Sequence, residues 1–105
     1  MEVRLKENSG VAKVAAAAMK VDKVAIVFGS TIYLYNTGRE EFLSDQDWVC
    51  HELMHIEQYR KKGFLGFLLQ YFFDWMKNGY YNNKFEVEAR ENEKNNALLE
   101  NIRFV

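Results

Sequence analysis

His51-Glu52-Leu53-Met54-His55 is the one run of residues whose types and spacing are ready for chemistry. On a helix, residues four positions apart emerge one turn apart on the same face. Two neutral imidazole nitrogens so placed can share one zinc ion at about 2.0–2.1 Å each. Glu52 follows the first histidine directly, so it lies beside the metal without having to bind it. There its carboxylate can take a proton from a metal-activated water. His-Glu-x-x-His is the spacing of zinc hydrolases that work from a helix. Both histidines of the chain belong to it. The plainer alternative is an amphipathic helix carrying two histidines on its polar face.

The surrounding residues predict the helix that this chemistry needs, from about Asp45 to Lys62. Ser44 or Asp45 offers an N-cap, and Trp48, Val49, Leu53, Ile56 and Tyr59 form an apolar stripe. Arg60, Lys61 and Lys62 suit the negative end of the helix dipole, and Gly63 can close it. Cys50 points about 100° away from His51 on such a helix, which makes it a buried structural thiol rather than a ligand.

Before that helix, Val3 and Leu5 alternate with charge as in a short strand, and Ser9 can cap a helix ending near Lys20. Its packing face is expected at Val11, Val14, Ala15, Ala18 and Met19. The β-rich runs 24–28 and 31–35, separated by Gly29-Ser30, predict a hairpin with a type II′ turn. After the motif, Phe64 to Met76 is dense in aromatics and too short to span a bilayer. It reads first as a core helix, and second as a greasy face for a membrane or an apolar partner. Asn83 with Glu86 three residues on opens a last helix running to about Leu99.

A chain of 105 residues with 49% apolar residues makes a single globular domain, residues 1–105. A net charge of −1 argues against a nucleic-acid partner held by a broad basic face. The single cysteine excludes an internal disulfide. No signal peptide is visible at the N-terminus, so a cytoplasmic location is the expectation.

A catalytic zinc takes three protein ligands and keeps one position open. With no further histidine, the third ligand has to be a carboxylate, and Glu86 and Glu88 are the natural sources. They lie about 200° apart on a helix, so only one can face the metal.

His51-Glu52-Leu53-Met54-His55-x-x-Gln58, followed downstream by Phe85-Glu86-Val87-Glu88-Ala89, resembles the gluzincin metallopeptidases. It is similar in particular to the minimal soluble minigluzincins, which resemble the catalytic cores of membrane-embedded CAAX prenyl-protein peptidases. The resemblance covers most of the chain. It implies an α+β, zincin-like fold: a small antiparallel hairpin sheet, an N-terminal helix, the motif helix, an aromatic middle helix and a C-terminal glutamate helix. It implies zinc on His51, His55 and Glu86, with Glu52 as the catalytic base and Ala89 letting two helices approach. Glu88 stands in reserve as third ligand. An edge strand beside the motif helix, here Ile32 to Tyr35, would hold an extended peptide by strand addition.

Two departures stand out. Arg90 occupies the place of an aspartate that orients a zinc histidine in larger relatives. No third histidine is present to stabilise the transition state, which leaves Tyr80 or Tyr81 as phenolic donors. The expectation is therefore a zinc metallopeptidase acting on a peptide or protein substrate. In a latent form its tail, Asn101 to Val105, would lie in the cleft. The alternative is a non-catalytic zinc-binding interaction module that docks an apolar partner or a membrane surface.

Overall fold

The computed structural model describes residues 1–105 and is an α+β domain in which one small sheet separates two helical layers. Strands β1 (Glu2–Lys6), β2 (Val24–Phe28), β3 (Thr31–Tyr35) and β4 (Arg103–Phe104) are arranged in the order β2-β3-β1-β4. The hairpin forms with Phe28 opposite Thr31, and Gly29 takes φ +65° at the turn while Ser30 stays in ordinary backbone. That combination belongs to the two-residue turn that glycine makes possible. β1 then pairs in parallel with β3, Leu5 opposite Ile32.

Helix α1 (Gly10–Met19) is capped by Ser9, whose side chain accepts from the Ala12 amide, and ends at Lys20 in the left-handed conformation. Its buried face is not the expected one. Ala12 and Ala16 are buried against Val24, while Val11 and Val14 are 51% and 70% exposed. The sheet face beneath carries Tyr33 and Tyr35, and a helix can sit close over such bulky side chains only through alanines.

The opposite sheet face, Val3, Val27, Ile32 and Leu34, forms the main core with Phe42 and the helices that follow. Phe42 belongs to the short helix α2 (Arg39–Ser44). Helix α3 (Gln46–Lys62) spans the length expected, with Asp45 as N-cap accepting from the Trp48 amide and Gly63 closing it at φ +78°. It buries Val49, Leu53, Ile56 and Tyr59 on the sheet. Helix α4 (Phe64–Asn78) packs on α3 and on helix α5 (Lys84–Glu91).

Three further expectations are corrected by the packing. The aromatic middle helix is not a core helix: only Phe67 is buried on it, because α3 and Phe42 already fill that face of the sheet. The glutamate helix stops at Glu91, where Asn92 caps it, and Asn96–Leu99 forms a separate 3-10 turn. The tail is strand β4, paired with β1 at the sheet edge farthest from β2, with Val3 opposite Phe104. No helix is long and apolar enough to cross a membrane.

Candidate metal centre

The site lies where α3, α4 and α5 meet beside the free edge of β2. On α3, the four-residue spacing sets the rings of His51 and His55 with centroids 5.1 Å apart. Glu86, on the buried face of α5 with Phe85 and Ala89, reaches across to both. Its Oε1 is 2.9 Å from Nε2 of His51 and 3.1 Å from Nε2 of His55. One ligand atom from each of the three residues lies within 4.8 Å of the others, a grouping that could hold a metal ion.

The outer nitrogens show how the rings are held. Nδ1 of His55 meets Oε1 of Gln58 at 2.8 Å. Gln58 cannot turn its amide over, because its Nε2 donates to the Phe85 carbonyl at 3.0 Å and to Glu88 at 2.8 Å. Nδ1 of His51 meets Oε2 of Glu93 at 2.8 Å. Both Nδ1 atoms therefore donate, which leaves each Nε2 as the free lone pair of a neutral ring. Yet both Nε2 atoms face the same carboxylate oxygen. Acceptors on both sides of two imidazoles require either two imidazolium ions or one cation among the three inner atoms. The donor set, two imidazoles and one carboxylate with their outer atoms tied, could hold a divalent metal ion.

Without a metal, protons take over that role. Burial opposes a charge on His51, but its hydrogen bond to Glu86, the charge of Glu52 and its bond to Glu93 outweigh it and bring its pKa up to about 9. Burial likewise works against the Glu86 carboxylate, yet the two histidines and Tyr71 hold it well below the usual carboxylate range.

Glu52 differs from its neighbours. It is only 5% exposed and its pKa is raised from 4.5 to about 7, first by burial. None of the protein's side-chain hydrogen bonds ends on it, and no fully enclosed side-chain oxygen or nitrogen lacks a partner. Its carboxylate must therefore open onto the cleft that it lines with His51, His55 and Glu86, about 380 Å³ in volume. The other walls are apolar: Ala15, Ala18 and Met19 of α1, all of β2, and Leu68, Phe72 and Trp75 of α4.

His51, Glu52 and His55, expected from the motif, and Glu86, implied by the resemblance, lie together at one cleft. Glu88 is exposed and holds Gln58 instead of facing the histidines. Tyr80 lines the cleft, and burial with the charges of Glu86 and Glu52 pushes its phenol upward. Tyr81 turns away, its ring 4.0 Å beneath the Arg90 guanidinium, which also donates to the Tyr81 carbonyl. Arg90 thus has no part in orienting a histidine, and Glu93 and Gln58 do that work.

Ile32 to Tyr35 cannot be the open strand, since β3 is paired on both sides. β2 is the strand with a free edge beside the site. Tyr71 was outside the sequence argument altogether. Its hydroxyl donates to Oε2 of Glu86 at 2.6 Å, and its carbonyl accepts from the fully buried Asn83, which in turn caps α5. Only its spacing from Phe67, one turn earlier on α4, could have placed it inward.

No protein family, curated protein or solved structure matches the chain.

Proposed function

We propose that this protein is a zinc-dependent metallopeptidase of zincin-like architecture, hydrolysing peptide bonds through a water activated by Glu52. The observation that carries this reading is the unbonded Glu52 carboxylate, which opens onto the same cleft as the His51, His55 and Glu86 cluster. A zinc ion held by those three residues would supply Lewis acidity, polarising a carbonyl oxygen and lowering the pKa of water. Glu52 would take the proton from the attacking water and hand it to the leaving amine.

The free edge of β2 supports a peptide as substrate. In a hairpin with a two-residue turn, Phe28 and Thr31 form the hydrogen-bonded pair, so Ala25 and Val27 turn their backbone groups outward. The Val27 carbonyl is already taken by the Tyr59 hydroxyl at 3.0 Å. The remaining groups can pair with an extended peptide lying along the cleft. Tyr80, which lines the same cleft, would be the phenol that donates to a developing oxyanion.

The tail pairs with β1 on the far edge of the sheet and lines no part of the cleft, so it does not plug the site. The test is hydrolysis of a mixed pool of fluorogenic short peptides by zinc-loaded protein. Wild type should cleave and Glu52→Gln should not, with zinc content equal in both. Cleavage that survives in Glu52→Gln would refute the mechanism.

A further inference from the structure

The cleft has two lips, α1 on one side and α4 on the other, and both turn large apolar side chains outward. On α4, Leu65, Leu69, Phe73 and Met76 are 70%, 56%, 64% and 66% exposed. At about 100° per residue they fall on one face of the helix, with Phe72 among them. The other face holds Phe67 and Tyr71 against the core. Gln70, Asp74 and Lys77 fill one sector between these two faces, so α4 carries a second, exposed apolar stripe at the surface of a small domain.

Charge is segregated along the chain. Segments 9–21 and 61–85, which contain the two lips, carry six cations (Lys13, Lys20, Lys61, Lys62, Lys77 and Lys84) against one acid, Asp74. The rest of the chain carries eight cations against fourteen acids, so a protein of net charge −1 concentrates its positive charge in the segments that bear its exposed apolar residues. Pairing α4 with a second copy would set Lys61 and Lys62 or Lys77 of each chain against like charges, whichever way the helices ran. A negatively charged apolar interface meets both features.

We propose that the lips of the cleft, α1 and α4, dock on an anionic lipid surface. α4 has 15 residues, a length of about 22 Å, so it lies in the interface plane rather than crossing it. Its apolar face enters the acyl boundary while the lysines meet lipid phosphates and carboxylates. The cleft opens between the lips, so docking turns its mouth toward the membrane surface. None of this depends on the metal centre, because Leu65, Leu69, Phe73 and Met76 lie outside the cleft wall.

The test is flotation of the full chain with phosphatidylcholine vesicles, with and without phosphatidylserine. Wild type should float only with the anionic vesicles and release as salt rises. Leu69→Glu and Phe73→Glu should each weaken binding about tenfold. The pair Lys61→Gln and Lys62→Gln should weaken it by a similar factor. Zinc content should stay unchanged in all of these variants. Trp75 fluorescence should be quenched by brominated lipid in the wild type, a readout that needs no variant. Absence of flotation, or equal binding to the uncharged vesicles, would overturn the proposal. So would a dimer in sedimentation equilibrium that Leu69→Glu dissociates, which would assign the face to a second copy.

Discussion

Replacing Glu52 by Gln should make the metal-free protein more stable, and the gain should depend on pH. The carboxylate titrates at about 7 in the fold against 4.5 as its ordinary value, chiefly because burial disfavours its charge. A carboxyl with a raised folded pKa binds more protons folded than unfolded in that window. Stability therefore falls as pH rises from 4.5 toward 7, and the full cost remains at higher pH. At about 1.36 kcal/mol per pKa unit the cost reaches about 3 kcal/mol above pH 7. Glutamine keeps the shape and stays neutral, so the variant should not show this loss. The assay is urea unfolding of both proteins in chelator across the range from pH 4 to pH 8. The two should be of equal stability at about pH 4 and should diverge by about 3 kcal/mol by pH 8. A gap that is independent of pH, or a variant no more stable at pH 8, would refute the claim that Glu52 is an ionisable group held at a cost beside the cleft.

Other perturbations separate the remaining roles. Glu86→Gln should abolish zinc binding, measured as metal per chain, while Glu88→Gln should keep it, because Glu88 contacts only Gln58. Tyr71→Phe frees Oε2 of Glu86 from its 2.6 Å partner and should weaken zinc affinity by about tenfold in competition with a chelator. Deleting residues after Leu99 should destabilise rather than activate. It removes β4, its backbone bonds to β1 and the Arg39 bond to the Phe104 carbonyl, a loss of about 3 kcal/mol in urea unfolding.

What could be read in the sequence was what is local. The helix around His51 and His55, the hairpin and its turn, and the caps at Ser9 and Asp45 are set by residues a few positions apart. Choosing Glu86 over Glu88 needed the resemblance, because periodicity alone permits either face. Gln58 lies within one helical turn of His55, near enough in sequence to have suggested the pair, whereas Glu93 reaches His51 from beyond the end of α5. The edge strand was misplaced because a hairpin does not announce which of its strands another segment will cover. β1, more than twenty residues earlier, decides that by pairing with β3.

The misreading of α4 has a more instructive cause. Its sequence is rich in large apolar residues on both sides of a narrow polar sector, a density that suggests burial, yet α3 and Phe42 already fill the sheet face on this side. The helix is thereby divided. Tyr71 and Phe67 point inward, the first onto Glu86 and the second into the core, while Leu69 and Phe73 point outward. A purely structural helix would not be expected to retain so much exposed apolar surface, since each outward leucine or phenylalanine favours aggregation and gains nothing from the fold. The two faces should accordingly separate under mutation. Tyr71→Phe should alter zinc affinity and leave vesicle binding unchanged, and Leu69→Glu should do the reverse. If either substitution moved both readouts, α4 would be acting as a single packed element, and the division of its faces between metal centre and membrane would be wrong.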